Sequence, residues 1–288
     1  EALFDVATAA NQPQSRDLAL IVVRLTLALQ PRHTLAQMLL ADLLEDYDQA
    51  EAARQVYLDV PADSPLHWSA RLRAATALDK LERTDDAVAE LKKLVDERAD
   101  RPEAALRLGD ILRARSRFPE AVAAYDQGVG RIGALDQRHW SALYSRGIAL
   151  ERSKVWDRAE ADFLKALELQ PDQPYVLNYL AYSWVDRGLN LERSLGMLRK
   201  AVELRPEDGY IVDSLGWALF RLGRFGEAEE PLRRAAEKQP GAVVLDHLGD
   251  LLKQLGRLSE AVEMWKRART GEDEDGELDR AELERKIQ

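Results

Sequence analysis

The sequence has no cysteine, few histidines and no apolar run long enough to cross a membrane. The absence of cysteine excludes disulfides, thiolate metal sites and a cysteine nucleophile together, and it leaves the redox compartment open. The longest apolar run, residues 18–23, ends at Arg24, far short of the ~18 residues that a membrane span needs. Acidic residues outnumber basic ones by 51 to 41, so the net charge of −10 disfavours a nucleic-acid partner.

Groups that catalysis or metal binding would require are scattered along the chain. The four histidines, His33, His67, His139 and His247, lie far apart, and no pair has the spacing of metal ligands. His67 and His139 each precede a tryptophan, so we expect them to pack at helix starts. The chain also lacks the phosphate-binding loop, the His-Glu-x-x-His zinc motif and the Gly-x-Ser-x-Gly elbow. The sequence therefore predicts neither an enzyme nor a metal or cofactor site.

Small side chains recur at a nearly constant interval. One register, with gaps of 34, 34, 38, 35, 34 and 33 residues, consists of Ala53, Ala87, Ala121, Ala159, Ser194, Ala228 and Ala261. A second register lies twelve or thirteen residues earlier, at Ala41, Ala75, Gly109, Gly147, Ala181, Gly216 and Gly249. Ala7 and Ala19 extend both registers backwards, which makes eight repeats. A period near 34 indicates pairs of helices, and the small residues allow the two backbones of a pair to approach closely.

A large residue follows each residue of the first register by four positions: Val23, Tyr57, Leu91, Tyr125, Phe163, Leu198, Leu232 and Trp265. The chain therefore resembles the tetratricopeptide repeat family, whose pattern has Leu-Gly in the first helix, Ala-x3-Phe in the second and a closing proline. Two repeats show the pattern most fully, with Trp140, Gly147, Leu150, Ala159, Phe163, Ala166 and Pro171 in one and Leu215, Gly216, Leu219, Ala228, Leu232, Ala235 and Pro240 in the other. The resemblance implies an all-α fold, an α-solenoid of about eight helix pairs with a C-terminal capping helix.

We expect the array to span residues 1–269, with repeats near 1–33, 34–67, 68–101, 102–139, 140–173, 174–208, 209–241 and 242–269. Residues 270–288 read as an acidic linker and a helix that caps the last repeat, with a regulatory or partner-binding tail as the alternative. The chain between Tyr125 and Trp140 is four residues longer than the period and contains three glycines, so we expect the array to bend or loosen from Gly128 onwards. Because the first helix starts at Glu1, we also expect the natural chain to begin further upstream.

The resemblance implies a concave groove lined by the first helix of each repeat. When the small residue of that helix counts as position eight, positions two, five, nine and twelve face the groove. In two neighbouring repeats the candidate residues at these positions are Tyr175, Asn178, Tyr182, Tyr210, Asp213, Trp217 and Phe220.

We predict that Tyr182 and Trp217 clasp an apolar side chain, while Asn178 and Asp213 form hydrogen bonds to the ligand. The alternative is that the superhelix or the terminal helix covers these rings. Acidic residues at Asp213, Asp246 and Asp250 predict an apolar or mildly basic ligand. Trp184 and Trp265 fall on packed positions, and we assign them to the core.

These features predict a non-enzymatic module that binds a peptide or an extended protein segment. The segments 176–188, 208–223 and 245–250 resemble a bacterial branch of the family that includes envelope lipoproteins presenting substrates to a carboxyl-terminal processing protease. That resemblance implies an adaptor on the periplasmic side of the cell envelope rather than in the cytoplasm. The rival interpretations are a scaffold that assembles with itself or with a larger complex, and a regulatory part of an enzyme.

Overall fold

The computed structural model describes residues 2–271, 273 and 278–288, and all regular secondary structure within these residues is helical. The helices are α1 (Ala2–Ala9), α2 (Arg16–Leu29), α3 (Thr34–Asp46), α4 (Ala50–Leu58), α5 (His67–Lys80), α6 (Thr84–Glu97), α7 (Glu103–Ala114), α8 (Phe118–Gly130), α9 (Trp140–Arg152), α10 (Trp156–Leu169), α11 (Pro174–Asp186), α12 (Leu191–Leu204), α13 (Gly209–Arg221), α14 (Phe225–Lys238), α15 (Ala242–Gln254), α16 (Leu258–Thr270) and α17 (Arg280–Ile287). The predicted all-α class is confirmed. None of the helices in the described ranges has both the length and the apolar character of a bilayer-spanning segment.

The chain divides into two compact units, Glu1–Leu135 with Ser145–Ala159 and Asp136–Tyr144 with Glu160–Gln288. In the first unit α1 pairs with α2, α3 with α4, α5 with α6 and α7 with α8, and each pair contacts the next. In the second unit α11–α12, α13–α14 and α15–α16 are pairs, and α17 packs on α16. Contacts thus join helices that are neighbours in sequence, which is the organisation of an α-solenoid.

Small residues allow the close approach within a helix pair. In the first unit, a Cβ atom added to Gly109 of α7 would lie 2.7 Å from the ring of Tyr125 on α8, closer than carbon atoms can pack. Tyr125 is fully buried, as are Tyr57 and Phe163 at the corresponding positions of other repeats. The ring of Tyr125 therefore fills the space that a side chain at Gly109 would need.

From α3 and α4 onwards, the turn between the two helices of a pair contains a residue with a positive φ, and the turn between α11 and α12 contains two, Gly188 and Asn190. Gly188, Gly223 and Gly256 have φ values of 68°, 73° and 77°, as their position after a first helix predicts. Residues with side chains adopt the same conformation in four other turns: Asp48, Glu82, Ser116 and Lys154. The left-handed conformation costs such residues roughly 1–2 kcal/mol. Because four turns bear this cost, a search of the sequence for glycine does not identify every turn.

The connection after α8 is shorter than the sequence predicts. We expected the chain to loosen from Gly128, but α8 continues to Gly130 and Gly128 is buried inside it. The connection proper comprises residues 131–139 and ends in a 3₁₀ turn, Gln137–His139. The small side chain of Gly128 serves packing against α7, which is why a glycine there does not indicate a loop.

Candidate functional site

The residues predicted to line a groove lie on two first helices of the second unit, α11 and α13, which contact each other. They are Tyr175, Asn178 and Tyr182 on α11 and Tyr210, Asp213, Trp217 and Phe220 on α13. Spacings of three and four residues place each set on one helix face. Tyr175 and Tyr210, at matching positions near the starts of the helices, are 40% and 42% exposed. The remaining side chains are half-buried, except that of Asp213, which is buried.

Trp217 is the centre of a stack of three rings. Its indole is nearly parallel to the ring of Phe220, with 4.8 Å between centroids, and to the imidazole of His247 on α15, at 4.0 Å. Tyr182 on α11 lies 6.5 Å from the same imidazole. Rings from three successive first helices are therefore held in fixed orientations before any ligand binds.

A buried hydrogen bond supports this stack. Nδ1 of His247 lies 2.8 Å from a carboxylate oxygen of Asp213, and the two side chains are only 7% and 6% exposed. Burial by itself lowers the pKa of His247, but the charge and the hydrogen bond of Asp213 raise it above its ordinary value. The structure thus corrects the prediction that Asp213 binds a ligand: its carboxylate is buried and holds His247 against Trp217.

Sequence reasoning missed His247, to which we assigned no role. The repeat spacing contains part of the signal that identifies it. His247 follows Asp213 by 34 residues, one more than the spacing of these two repeats, so it adjoins Asp246, the equivalent of Asp213 on the next first helix. Asn178, the other predicted polar contact, is half-buried, and its Oδ1 accepts no hydrogen bond within the described part of the chain.

Other acidic residues on the first helices serve the fold. Asp42 accepts a hydrogen bond from the hydroxyl of Tyr57 at 2.6 Å, and Asp110 accepts one from Tyr125 at 2.8 Å. Each aspartate directly follows the small residue of its helix and precedes the buried ring by 15 residues. The polar atom of the ring emerges beside the small residue, and the next side chain satisfies it.

This pairing between the buried ring and the residue that follows the small one also explains where the groove carries aromatic residues. Asp250 follows Gly249 and accepts a hydrogen bond from the indole of Trp265 at 3.2 Å. Tyr182 and Trp217 occupy the equivalent position in repeats whose buried side chain is a leucine, Leu198 or Leu232. A leucine has no polar atom to satisfy, so packing leaves this position free for a ring.

The predicted acidic lining is partly offset within the second unit. Lys286 on α17 donates to Asp246 at 2.8 Å and to Asp250 at 2.9 Å. Burial lowers the pKa of Lys286, but these two hydrogen bonds raise it above its ordinary value, which keeps the ammonium charged. The prediction of an apolar or mildly basic ligand therefore loses part of its basis, because both carboxylates share a cationic partner within the fold.

Arginine side chains lie beside the exposed rings. The guanidinium of Arg205 is 5.6 Å from the centroid of the Tyr175 ring, and that of Arg221 is 5.9 Å from that of Trp217. Arg221 also donates to the backbone carbonyl of Asp186 at 3.3 Å. The same guanidinium lies 3.9 Å from the carboxylate of Asp186, so the charge of Arg221 is paired within the fold. Trp184 and Trp265 are both 1% exposed, which confirms their assignment to the core.

The chain resembles known proteins in sequence and in fold. A family model for the tetratricopeptide repeat matches residues 72–137, 132–174 and 185–243. A tetratricopeptide repeat-containing protein of Pseudomonas aeruginosa is 27% identical over 175 residues, which are 59% of this chain and 28% of that protein. The chain therefore spans well under half the length of this curated relative.

Two solved structures share the fold. A tetratricopeptide repeat protein from Parabacteroides merdae has a TM-score of 0.64 at 14% identity, covering 87% of this chain and 96% of that one. The Cut9 and Hcn1 hetero-tetramer of the APC/C has a TM-score of 0.67 at 13% identity, covering 95% of this chain and 53% of that one. These matches confirm the predicted resemblance to the family, whereas membership of the envelope branch stays a prediction.

Proposed function

Because this chain belongs to the tetratricopeptide repeat family, whose helix pairs form protein-interaction modules, we propose that the second unit binds an extended segment of a protein partner. The site is the aromatic face, which we define as Tyr175, Tyr182, Tyr210, Trp217 and Phe220. Tetratricopeptide repeat proteins are in general not catalysts, and we propose the same of this chain.

One observation carries the proposal. Tyr175 and Tyr210 stand at matching positions of consecutive repeats with about two fifths of their surface exposed, beside the preformed stack of Trp217 on Phe220. Large rigid rings lose little conformational entropy on binding and bury much apolar surface, so such groups dominate binding energies at interfaces.

The surrounding charges define the ligand. Arg205 flanks Tyr175, whereas Arg221 beside Trp217 is paired with Asp186, and Asp213, Asp246 and Asp250 have partners within the fold. We therefore propose a ligand with apolar side chains over the rings and a neutral or acidic group beside Arg205, and Asn178 remains the proposed polar contact. The sequence alone predicts an apolar or mildly basic ligand, so the proposed polar group differs in charge.

A phage-displayed library of twelve-residue peptides, selected on the intact chain, tests the site without knowledge of the natural partner. An enriched peptide is synthesised and titrated by fluorescence anisotropy. Tyr210→Ala is expected to weaken its binding about tenfold and Trp217→Ala about thirtyfold, since loss of an aromatic anchor costs about 1.4–2 kcal/mol. Leu258→Ala, at a 57% exposed apolar residue on α16, is the matched control and should bind as the wild type does.

Tyr210→Ala should leave the helical signal unchanged and the melting temperature little changed, because about two fifths of that residue is exposed. Enriched peptides that bind all three variants equally would remove the aromatic face from consideration. A selection that enriches no sequence would also count against a peptide-binding function.

The resemblance to envelope adaptors extends the proposal to a partner in the bacterial cell envelope, including a carboxyl-terminal processing protease. Affinity purification of the tagged protein from its own host, after separation of the envelope from the cytosol, tests this extension. We expect the protein in the envelope fraction together with the protease. Recovery from the cytosol alone would overturn the extension and leave the peptide site untouched.

A specific observation supports the alternative of a self-assembling scaffold. On α2, Leu18, Ile21, Leu25 and Leu29 are 50–73% exposed and form a continuous aliphatic stripe. At the positions of Leu18, Ile21 and Leu25, the second helices of the other seven repeats carry only charged, amide, alanine or glycine residues. Exposed apolar stripes of this kind mark association surfaces.

Light scattering after gel filtration distinguishes the two candidates. A scaffold should form an oligomer without any ligand, and Ile21→Asp should dissociate it. Ala123→Asp, at the equivalent position of α8, is the matched control and should not. A monomer at all concentrations would exclude self-assembly through α2.

A further inference from the structure

Helix α17 shows what kind of segment fits the end of the second unit. Leu283 is 1% exposed within the apolar cluster that contains Leu252 and Trp265, and Leu278 and Ile287 pack against the same cluster. The rest of the helix is largely exposed. One buried leucine with two flanking aliphatic residues thus makes the apolar contact.

A polar contact accompanies it at a fixed offset. The ammonium of Lys286, three residues after Leu283, bridges Asp246 and Asp250 on α15 at 2.8 and 2.9 Å. The three side chains are 14%, 17% and 21% exposed, so the ion pairs are shielded from solvent. Asp246 and Asp250 occupy the positions that Asp213 and Trp217 occupy one repeat earlier, so α17 lies on the continuation of the groove-facing side of the first helices.

The free energies that hold α17 in place nearly cancel, so another segment can replace it. A helix of eight residues does not form alone in water, so α17 is helical because the site holds it. Only one side chain, Leu283, stabilises the docked helix by complete burial, whereas ordering the whole segment costs conformational entropy. A free segment with the same contacts can therefore displace α17, although it must compete against the effective concentration that the covalent connection gives the helix.

We propose that the surface of α15 and α16 beneath α17 is a second binding site, which accepts an amphipathic helix of a protein partner and which α17 occupies as an intramolecular competitor. The recognised pattern is an apolar residue, a lysine three positions later and a second apolar residue one position after the lysine, as Leu283, Lys286 and Ile287 show. The site is distinct from the aromatic face, and the proposal does not depend on peptide binding there.

The test uses a fluorescein-labelled peptide with the sequence of residues 278–288 and the full-length chain. Leu283→Asp places a charge at the buried position and should release α17. We expect the peptide to bind this variant at least tenfold more tightly than it binds the wild type, whose site is filled. Lys286→Gln removes only the ion pairs and should give intermediate binding, which provides a second test should Leu283→Asp destabilise the unit. Leu258→Asp, at an exposed position of α16, should behave as the wild type.

The specificity of the site is tested in the Leu283→Asp variant, in which α17 is released. Asp246→Asn with Asp250→Asn, added to Leu283→Asp, should reduce peptide binding at least tenfold, and a peptide carrying Lys286→Glu should bind neither chain. Equal binding of the peptide to the wild type and to both the Leu283→Asp and Lys286→Gln variants overturns the proposal. Wild-type dimers that form by exchange of α17, without any binding of the free peptide, overturn it as well.

Discussion

Close approach of α13 and α14 makes Gly216→Ala an informative perturbation. A Cβ atom at Gly216 would lie 2.5 Å from Cγ and 2.7 Å from Cδ2 of Leu232, and 3.2 Å from the backbone nitrogen of that residue. Carbon atoms in contact are about 3.5–4.0 Å apart. Leu232 is completely buried and has no free space to enter, so the two helices must separate by about 1 Å or the leucine must leave its rotamer.

Two opposing effects set the magnitude. Overpacking of this kind costs roughly 1–3 kcal/mol. Alanine in place of glycine inside a helix gains about 1 kcal/mol of helix propensity. Gly196→Ala on α12 provides the matched control, because a Cβ atom there meets no other atom within 4 Å. The control should stabilise the protein by about 1 kcal/mol, and the difference between the two variants isolates the overpacking cost of roughly 1–3 kcal/mol.

Urea denaturation followed by circular dichroism measures both variants. Hydrogen exchange of peptides from α13 and α14 should show the loss of protection in the Gly216→Ala chain, since contacts in a repeat array join only neighbours. If Gly216→Ala proves as stable as Gly196→Ala, the small residues are not packing requirements and the assignment of the repeat register fails.

Three further predictions concern single interactions. Tyr125→Phe removes the hydrogen bond to Asp110 and should lower the free energy of unfolding by about 1 kcal/mol in urea denaturation; an unchanged midpoint would contradict that role. Lys154→Gly removes the backbone strain of a side-chain-bearing residue at a φ of 62° and should raise the free energy of unfolding by about 0.5–1 kcal/mol; a decrease would show that Lys154 is not strained. Asp213 raises the pKa of His247, so the imidazolium stabilises the fold fully below a pH of about 6.5 and loses this contribution as the pH rises through the raised pKa. The urea midpoint should fall over that range in the wild type and stay flat in His247→Gln, and parallel profiles would refute it.

The fold could be predicted because a solenoid is local. Each helix packs on its neighbours in sequence, so the spacing of small and large residues already specifies which side chains meet. Ala159 and Phe163, or Gly249 and Trp265, are recognisable from their period alone. The core positions of Trp184 and Trp265 followed from the same periodicity, and the structure buries both.

The chemistry of the candidate site could be predicted only in part. Spacing placed Tyr175 and Tyr210 at matching positions of their helices, and the structure leaves both about two fifths exposed. It did not reveal that Asp213 turns inward, because the partner that draws it there comes from the next repeat. The sequence around an aspartate on a helix surface does not show whether its carboxylate contacts water or a histidine of another repeat.

The sequence by itself determined the helix pairs, their register and the residues at their contacts, because these depend on a period that repeats along the chain. Only the tertiary structure decided the electrostatics of the groove side, where His247 is held by Asp213 and Lys286 bridges Asp246 and Asp250. The physical reason is that the free energy of a charge depends on its burial and on the groups around it in three dimensions. Helix α17 supplies one of those groups from outside the repeat, where no period indicates its place.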